Sequence, residues 1–189
     1  MKDHPILFSG PMVRAICEGR KTMTRRVVQF NKPYTWHEAW QYVYPHPGGG
    51  FIFTDAACPD TVISRMAAGR EGKIPQQGKP GDRLWVRETW AQDLDGEIFY
   101  AADHLQKPST IDKWRPSIFM PRAVSRIALE INSVRAERLQ AISESDAMAE
   151  GCPTEDYQNF RMLWDSINAK RGYGWSQNPW VWVIQFRRL

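Results

Sequence analysis

The 189-residue chain is poor in cysteine: Cys17, Cys58 and Cys152 are far apart and odd in number. That excludes a disulfide scaffold and a Cys-x-x-Cys zinc site, and it fits a reducing, cytoplasmic setting. Long apolar runs are missing too. The densest, Trp180-Val181-Trp182-Val183-Ile184, is far too short to span a bilayer. After Met1-Lys2-Asp3-His4-Pro5, Gly10-Pro11 soon breaks the apolar run, which argues against a secretory leader. The histidines His4, His37, His46 and His104 show no ligand spacing, and His37-Glu38 lacks the second His of a zincin helix. There is no Gly-x-x-x-x-Gly-Lys-Ser/Thr phosphate loop, no Gly-x-Gly-x-x-Gly and no Gly-x-Ser-x-Gly elbow. Neither a metal nor an organic cofactor is therefore expected, and hydrolysis would have to rest on other side chains.

What is present is a mildly basic, aromatic-rich chain. Twenty-five Lys and Arg against 21 Asp and Glu give a net charge of +4, compatible with a polyanionic partner without requiring one. Apolar residues make up 42% and charged residues 24%, enough to bury the core of one domain, 1–189. Nine tryptophans are an excess for this length; packing is the first reading of each, and base stacking the second.

The pattern opens as strand, helix, strand. Pro5 to Phe8 is apolar, Gly10-Pro11 starts a helix carrying Met12, Val13, Ile16 and Cys17, and Gly19 is placed to cap it. Residues 29–80 hold Tyr34, Trp36, Trp40, Tyr42, Tyr44 and a Gly-rich run without sustained periodicity, and read as an insertion with a hairpin near Phe51-Ile52-Phe53. Regular alternation resumes from Arg83, with Leu84, Val86 and Glu88 on one face. Glu97–Ala101 reads as its partner strand, 125–134 as a further strand with Ile127, Leu129 and Ile131 alternating, and 180–186 as the closing strand. Ser143-Glu144-Ser145-Asp146 starts a helix ending near Gly151. Thr154 is expected to cap a second, whose Tyr157, Phe160, Leu163, Trp164 and Ile167 share a face before Lys170-Arg171-Gly172. Strands and short helices without βαβ alternation predict an α+β fold built on a small closed or nearly closed mixed barrel.

The most unusual segment is Gly19-Arg20-Lys21-Thr22-Met23-Thr24-Arg25-Arg26, with four cations beside hydroxyls. It reads either as a solvated basic turn or as a site for phosphate or an oxyanion. Crowding by Arg20, Arg25 and Arg26 would lower the pKa of Lys21 and fit it as a general base. Residues 21 and 24 of a strand would lie roughly 10 Å apart on opposite faces, so Lys21 is expected in the turn, reaching back towards Thr24. Glu88 points inward and needs a cation, for which Arg26 is a candidate.

Gly19-x-Lys21-x-x-Thr24-x-Arg26 resembles the Gly-x-Lys-x-x-Thr-x-Arg signature of the ASCH domains, and the later elements follow their order. The resemblance implies a PUA-like barrel with short flanking helices and, here, a long aromatic-rich insertion. The chain also looks like a prophage-encoded type of ASCH protein. Among small ASCH enzymes it is similar to bacterial N4-acetylcytidine amidohydrolases, which use a Lys, a Thr and a Glu. The resemblance puts these roles on Lys21, Thr24 and Glu150; the residues read as substrate-binding candidates beside them are Arg26, Glu88, Trp85 and Arg20. The implied partner is a nucleoside or nucleobase, with no membrane. The alternative is an RNA-binding or ribonuclease module that holds single-stranded RNA, since PUA-like barrels commonly bind nucleic acid.

Overall fold

The computed structural model describes residues 1–28, 78–152 and 157–189, together with the backbone of two strands at 40–45 and 51–55. Strand β1 (Asp3–Leu7) leads through helix α1 (Gly10–Cys17) into β2 (Met23–Val27). Strands β3 (Trp40–Pro45) and β4 (Phe51–Asp55) pair antiparallel, as the expected hairpin. Then come β5 (Arg83–Arg87) and a second hairpin of β6 (Trp90–Gln92) and β7 (Ile98–Tyr100). The long β8 (Ala128–Arg138), α2 (Glu144–Ala149), α3 (Tyr157–Asn168) and β9 (Trp180–Arg188) complete the chain. The expected cap Thr154 lies outside the described residues.

Five strands form the main sheet in the order β1-β5-β8-β9-β2, with only β1 and β5 parallel. A register shift between Ile131 and Ser133 bends β8 where it pairs with β9. Strand β9 is buried on both faces, which explains its unbroken apolar sequence. Trp180, Trp182, Ile184 and Phe186 pack with Ile6, Phe8, Val13, Ile16, Leu84, Val86 and Leu129. Val181 and Val183 pack on the other side with Met23, Leu139, Ala147, Phe160 and Trp164, beneath α2 and α3. Burying each such aliphatic or aromatic side chain is worth about 1.5–3 kcal/mol, so β9 is the spine between the two cores.

The expected barrel closure is not found. Among the described residues no backbone ladder joins the edge strands β1 and β2. The Lys2 carbonyl and the Phe8 N–H bond to β5, so the alternate residues Pro5 and Leu7 turn their backbone groups to the open edge. Pro5 has no N–H to donate there. A side chain spans the gap instead: Arg26 Nη2 donates to the Leu7 carbonyl at 2.8 Å.

Helix α3 also differs from its pattern. It buries Phe160, Trp164 and Asn168, while Tyr157, Leu163 and Ile167 are 39–47% exposed. Trp164 sets this rotation, because its indole N–H donates to the Tyr173 carbonyl at 2.7 Å while its ring packs beside Phe160.

Candidate functional site

The site begins where α1 stops. Gly19 adopts φ 76°, a left-handed cap that reverses the chain, and the Arg20 and Lys21 N–H groups both donate to the Ala15 carbonyl. Thr22 N–H then bonds the Ala149 carbonyl at 2.8 Å, fastening this turn to the end of α2. Lys21 therefore sits in the turn, as expected, beside Glu150, the C-terminal cap of α2.

Lys21 is fully buried and its ammonium has three acceptors: the Met23 carbonyl at 2.7 Å, and the Glu150 carbonyl and Glu150 Oε2, each at 2.8 Å. These account for all three of its protons. Burial pulls the Lys21 pKa below the ordinary 10.5, the Glu150 carboxylate opposes that, and Arg26 adds a smaller downward push. The crowding expected from three arginines is thus corrected. Arg20 turns outward to Glu18, Arg25 is taken up by carboxylates, and only Arg26 acts as the sequence suggested.

Strand alternation sorts the rest of the motif. Thr24 pairs with Ile184 and Arg26 with Trp182, so both share the face of the Phe8-containing core. Thr24 is 3% exposed, and its hydroxyl has no hydrogen-bond partner among the described residues. Arg26 lies 5.4 Å from the Phe8 ring centroid and Lys21 Nζ lies 5.5 Å from it, so both cations share that ring. Buried Arg26 Nε has no partner among the described residues. Met23, Arg25 and Val27 face the other way.

The sequence marks Arg25 only as a cation crowding Lys21, not as a partner of carboxylates. Its buried guanidinium reaches Glu137 Oε1 at 2.6 Å, Asp146 Oδ2 at 2.5 Å and Glu150 Oε1 at 3.3 Å. Those carboxylates lie more than a hundred residues away, beyond the reach of any local pattern.

Three of the expected binding residues are not gathered with these. Glu88 is 1% exposed and inward, as expected, but its cation is Arg126 rather than Arg26: Nε meets Oε1 at 2.9 Å and Nη2 meets Oε2 at 3.1 Å. Arg126 also holds Asp103 and covers Tyr100, while Arg26 is committed to Leu7. Burial pushes the Glu88 carboxyl up and Arg126 works against it. Trp85 faces away from Leu84 and Val86, towards Arg87 and Arg122. Arg20 is exposed and paired with Glu18.

Gly151 has a role that the sequence reading gave only to helix termination. It adopts φ 91°, and a Cβ there would stand 3.0 Å from Ala15 Cβ and 3.1 Å from Lys21 Cβ. Gly172 has a similar φ of 81° with nothing within 4 Å of the corresponding position. Gly151→Ala is therefore expected to cost about 1–3 kcal/mol more than Gly172→Ala, the difference being overpacking against the Lys21 stem. Thermal unfolding of the two variants checks this; equal losses would mean that the Lys21 turn yields freely.

No protein-family model matches the chain. No curated protein matches it either. Among solved structures it is similar to an ASCH domain from Lactobacillus crispatus JV V101, with TM-score 0.46 and 11% identity over 99% of this chain and 79% of that one. It is also similar to a DUF984 protein from Enterococcus faecalis V583, with TM-score 0.45 and 11% identity over 100% of this chain and 81% of that one.

Proposed function

We propose that this chain is an ASCH-type, metal-free amidohydrolase that removes the acetyl group from N4-acetylcytidine or a related acylated nucleobase. The observation that carries the reading is the buried contact between Lys21 of the Gly-x-Lys-x-x-Thr-x-Arg motif and Glu150, 129 residues away, at 2.8 Å. The motif resemblance named these residues together, and burying an ion pair is rarely favourable for stability alone.

The chemistry follows from proton positions. With all three protons donated, Lys21 is no base. Passing one proton to Glu150 Oε2 along their hydrogen bond leaves a neutral amine and a carboxylic acid. Thr24 Oγ1 then attacks the acetyl carbonyl as Lys21 takes the hydroxyl proton. Collapse of the tetrahedral intermediate breaks the C–N bond, and Glu150 returns its proton to the departing amino group of cytidine. Lys21 and Glu150 are charged again, and the acetyl group is on Thr24. Repeating the transfer with water as nucleophile releases acetate and restores the Thr24 hydroxyl. Arg26, on the Thr24 face and with an Nε–H that has no partner among the described residues, supplies positive charge for the oxyanion.

Incubating the purified protein with N4-acetylcytidine and following cytidine by chromatography tests the reading; no release counts against it. Because the cycle passes one proton between Lys21 and Glu150, the rate should fall as pH rises through a value lower than 10.5, where Lys21 loses that proton to solvent and no acid is left for the departing amine. Lys21→Arg should abolish this limb. The same limb retained in Lys21→Arg would remove Lys21 as the base.

A second reading, an RNA-binding module, is favoured by a different face. There Trp85 has Arg87 and Arg122 within 5.4 and 5.9 Å, and Arg87 bonds the carbonyl of Ile118, whose neighbour Phe119 is 71% exposed. Arg20, Arg25 and Arg126, however, are matched to carboxylates and leave little charge for a phosphate backbone.

A further inference from the structure

We infer that Arg25 is a positioning residue for the Lys21–Glu150 pair, anchoring one oxygen of Glu150 so that the other is presented to Lys21. Its kinetic consequence rests on the hydrolase reading; the geometry stands without it.

Arg25 and Thr24 are adjacent in β2 and so face opposite sides of the strand. Arg25 therefore does not reach a substrate held at the Thr24 hydroxyl, and any effect it has on chemistry must pass through another group. That group is Glu150. Arg25 Nη1 meets Oε1 at 3.3 Å, while Lys21 Nζ meets Oε2 at 2.8 Å. A glutamate carboxylate on its own turns easily about its last torsion. Held at both oxygens, it keeps one lone pair directed at the Lys21 ammonium.

The surroundings fix Arg25 in turn. Its guanidinium carries Glu137 and Asp146, has Met23 Sδ 3.3 Å from Nη1, and lies 5.8 Å from the Phe160 ring centroid. Arg135 holds the same two outer carboxylates, Glu137 Oε2 at 3.0 Å and Asp146 Oδ2 at 2.8 Å, from a partly exposed position. Lys21, Arg25 and Arg135 thus balance Glu137, Asp146 and Glu150 charge for charge. Among the described residues, only Arg25 joins the outer half of the cluster to the Lys21 half. Arg135 is accordingly a natural control, sharing the cluster without touching Glu150. The other charged or titratable groups that act on Lys21 are Arg26 and Cys152.

The experiment compares Arg25→Met, Arg25→Lys and Arg135→Met with wild type. It reads kcat and KM for N4-acetylcytidine, and the titration of Lys21 by NMR of protein labelled with 13C at the lysine Cε. Arg25→Met should lower kcat about ten- to a hundred-fold with KM unchanged, the scale of a misplaced catalytic group. Its Lys21 titration should move to higher pH, because Glu150 is no longer shared with a second cation and favours the charged amine more strongly. Arg25→Lys keeps a charge but not the fork that spans three carboxylates, and should lose kcat as well. Arg135→Met should leave both readouts at wild-type values. Unchanged kcat and unchanged Lys21 titration in a folded Arg25 variant would overturn the inference and leave Arg25 a structural ion-pair member. If Arg25→Met does not fold, Arg25→Lys decides by the same two readouts. If wild type releases no cytidine, the hydrolase reading fails, and the titration alone still decides for or against Arg25.

Discussion

Replacing Thr24 by Ala or Val is expected to abolish deacetylation, a loss of roughly a thousand-fold or more, while the protein stays folded. The hydroxyl has no hydrogen-bond partner among the described residues, so removing it strands no buried group. Val nearly preserves the volume of the 3% exposed side chain and should keep the unfolding midpoint within a few degrees of wild type. Ala leaves a small void and should cost about 1 kcal/mol more. Two measurements check the assignment: cytidine release by both variants, and mass spectrometry of wild type quenched during turnover, in which the peptide containing Thr24 should carry an acetyl group. Turnover retained in both variants would remove Thr24 as nucleophile, whatever the fate of Lys21.

What the sequence makes legible follows a physical rule: most short-range patterns can be read from the residues themselves, whereas couplings over long separations cannot, and the Lys21–Glu150 pair came from the family resemblance alone. The Gly19 cap, the β5 alternation, the Ser143 start of α2 and the buried β9 each arise from neighbours within one or two turns of chain. Lys21 could be placed in the turn because strand geometry forbids residues 21 and 24 from sharing a face. Arg25 was invisible as the hub of a carboxylate cluster because Glu137 and Asp146 join it only after β8, β9 and β2 assemble. The partner of Glu88 was misassigned for the same reason. An inward carboxylate demands a cation, but pattern alone cannot choose between Arg26 and Arg126. The barrel closure was overestimated because counting strands does not reveal that Pro5 faces the open edge without a donor. Helix α3 shows a different failure. Its apolar stripe at helical spacing was real, but docking through Phe160 and Trp164 uses only part of it.

The Lys21–Glu150 pair should reveal itself in stability as well as in rate, and the two halves should not be equivalent. In Lys21→Met, Glu150 keeps Arg25 at 3.3 Å, so its charge remains partly compensated. In Glu150→Gln, Lys21 retains only neutral acceptors while fully buried. At about pH 6 the Glu150→Gln variant should therefore be the less stable, by about 3 kcal/mol relative to wild type, or roughly 6–12 °C in midpoint for a chain of this size. The pH dependence carries the signature. Without the carboxylate, burial acts on Lys21 with its main opposing influence gone, so its native pKa falls further below 10.5. Between that lowered value and 10.5 the unfolded chain holds a proton that the native chain has released, so stability rises as pH rises through the window and is lost as pH falls below it. The deficit of Glu150→Gln should consequently shrink towards about pH 9, where Lys21 sits neutral among the carbonyls of Met23 and residue 150. The deficit of Lys21→Met should not change in this way, because it contains no buried amine. The double variant Lys21→Met/Glu150→Gln should recover part of the Glu150→Gln loss at about pH 6, a coupling of 0.5–3 kcal/mol on the usual scale for contacting residues, roughly stated. Denaturant unfolding of the three variants at the two pH values measures all of this. A Glu150→Gln deficit that does not vary with pH would mean that Lys21 never gives up its proton in the folded protein, and with that the proton transfer on which the hydrolytic cycle depends would fail.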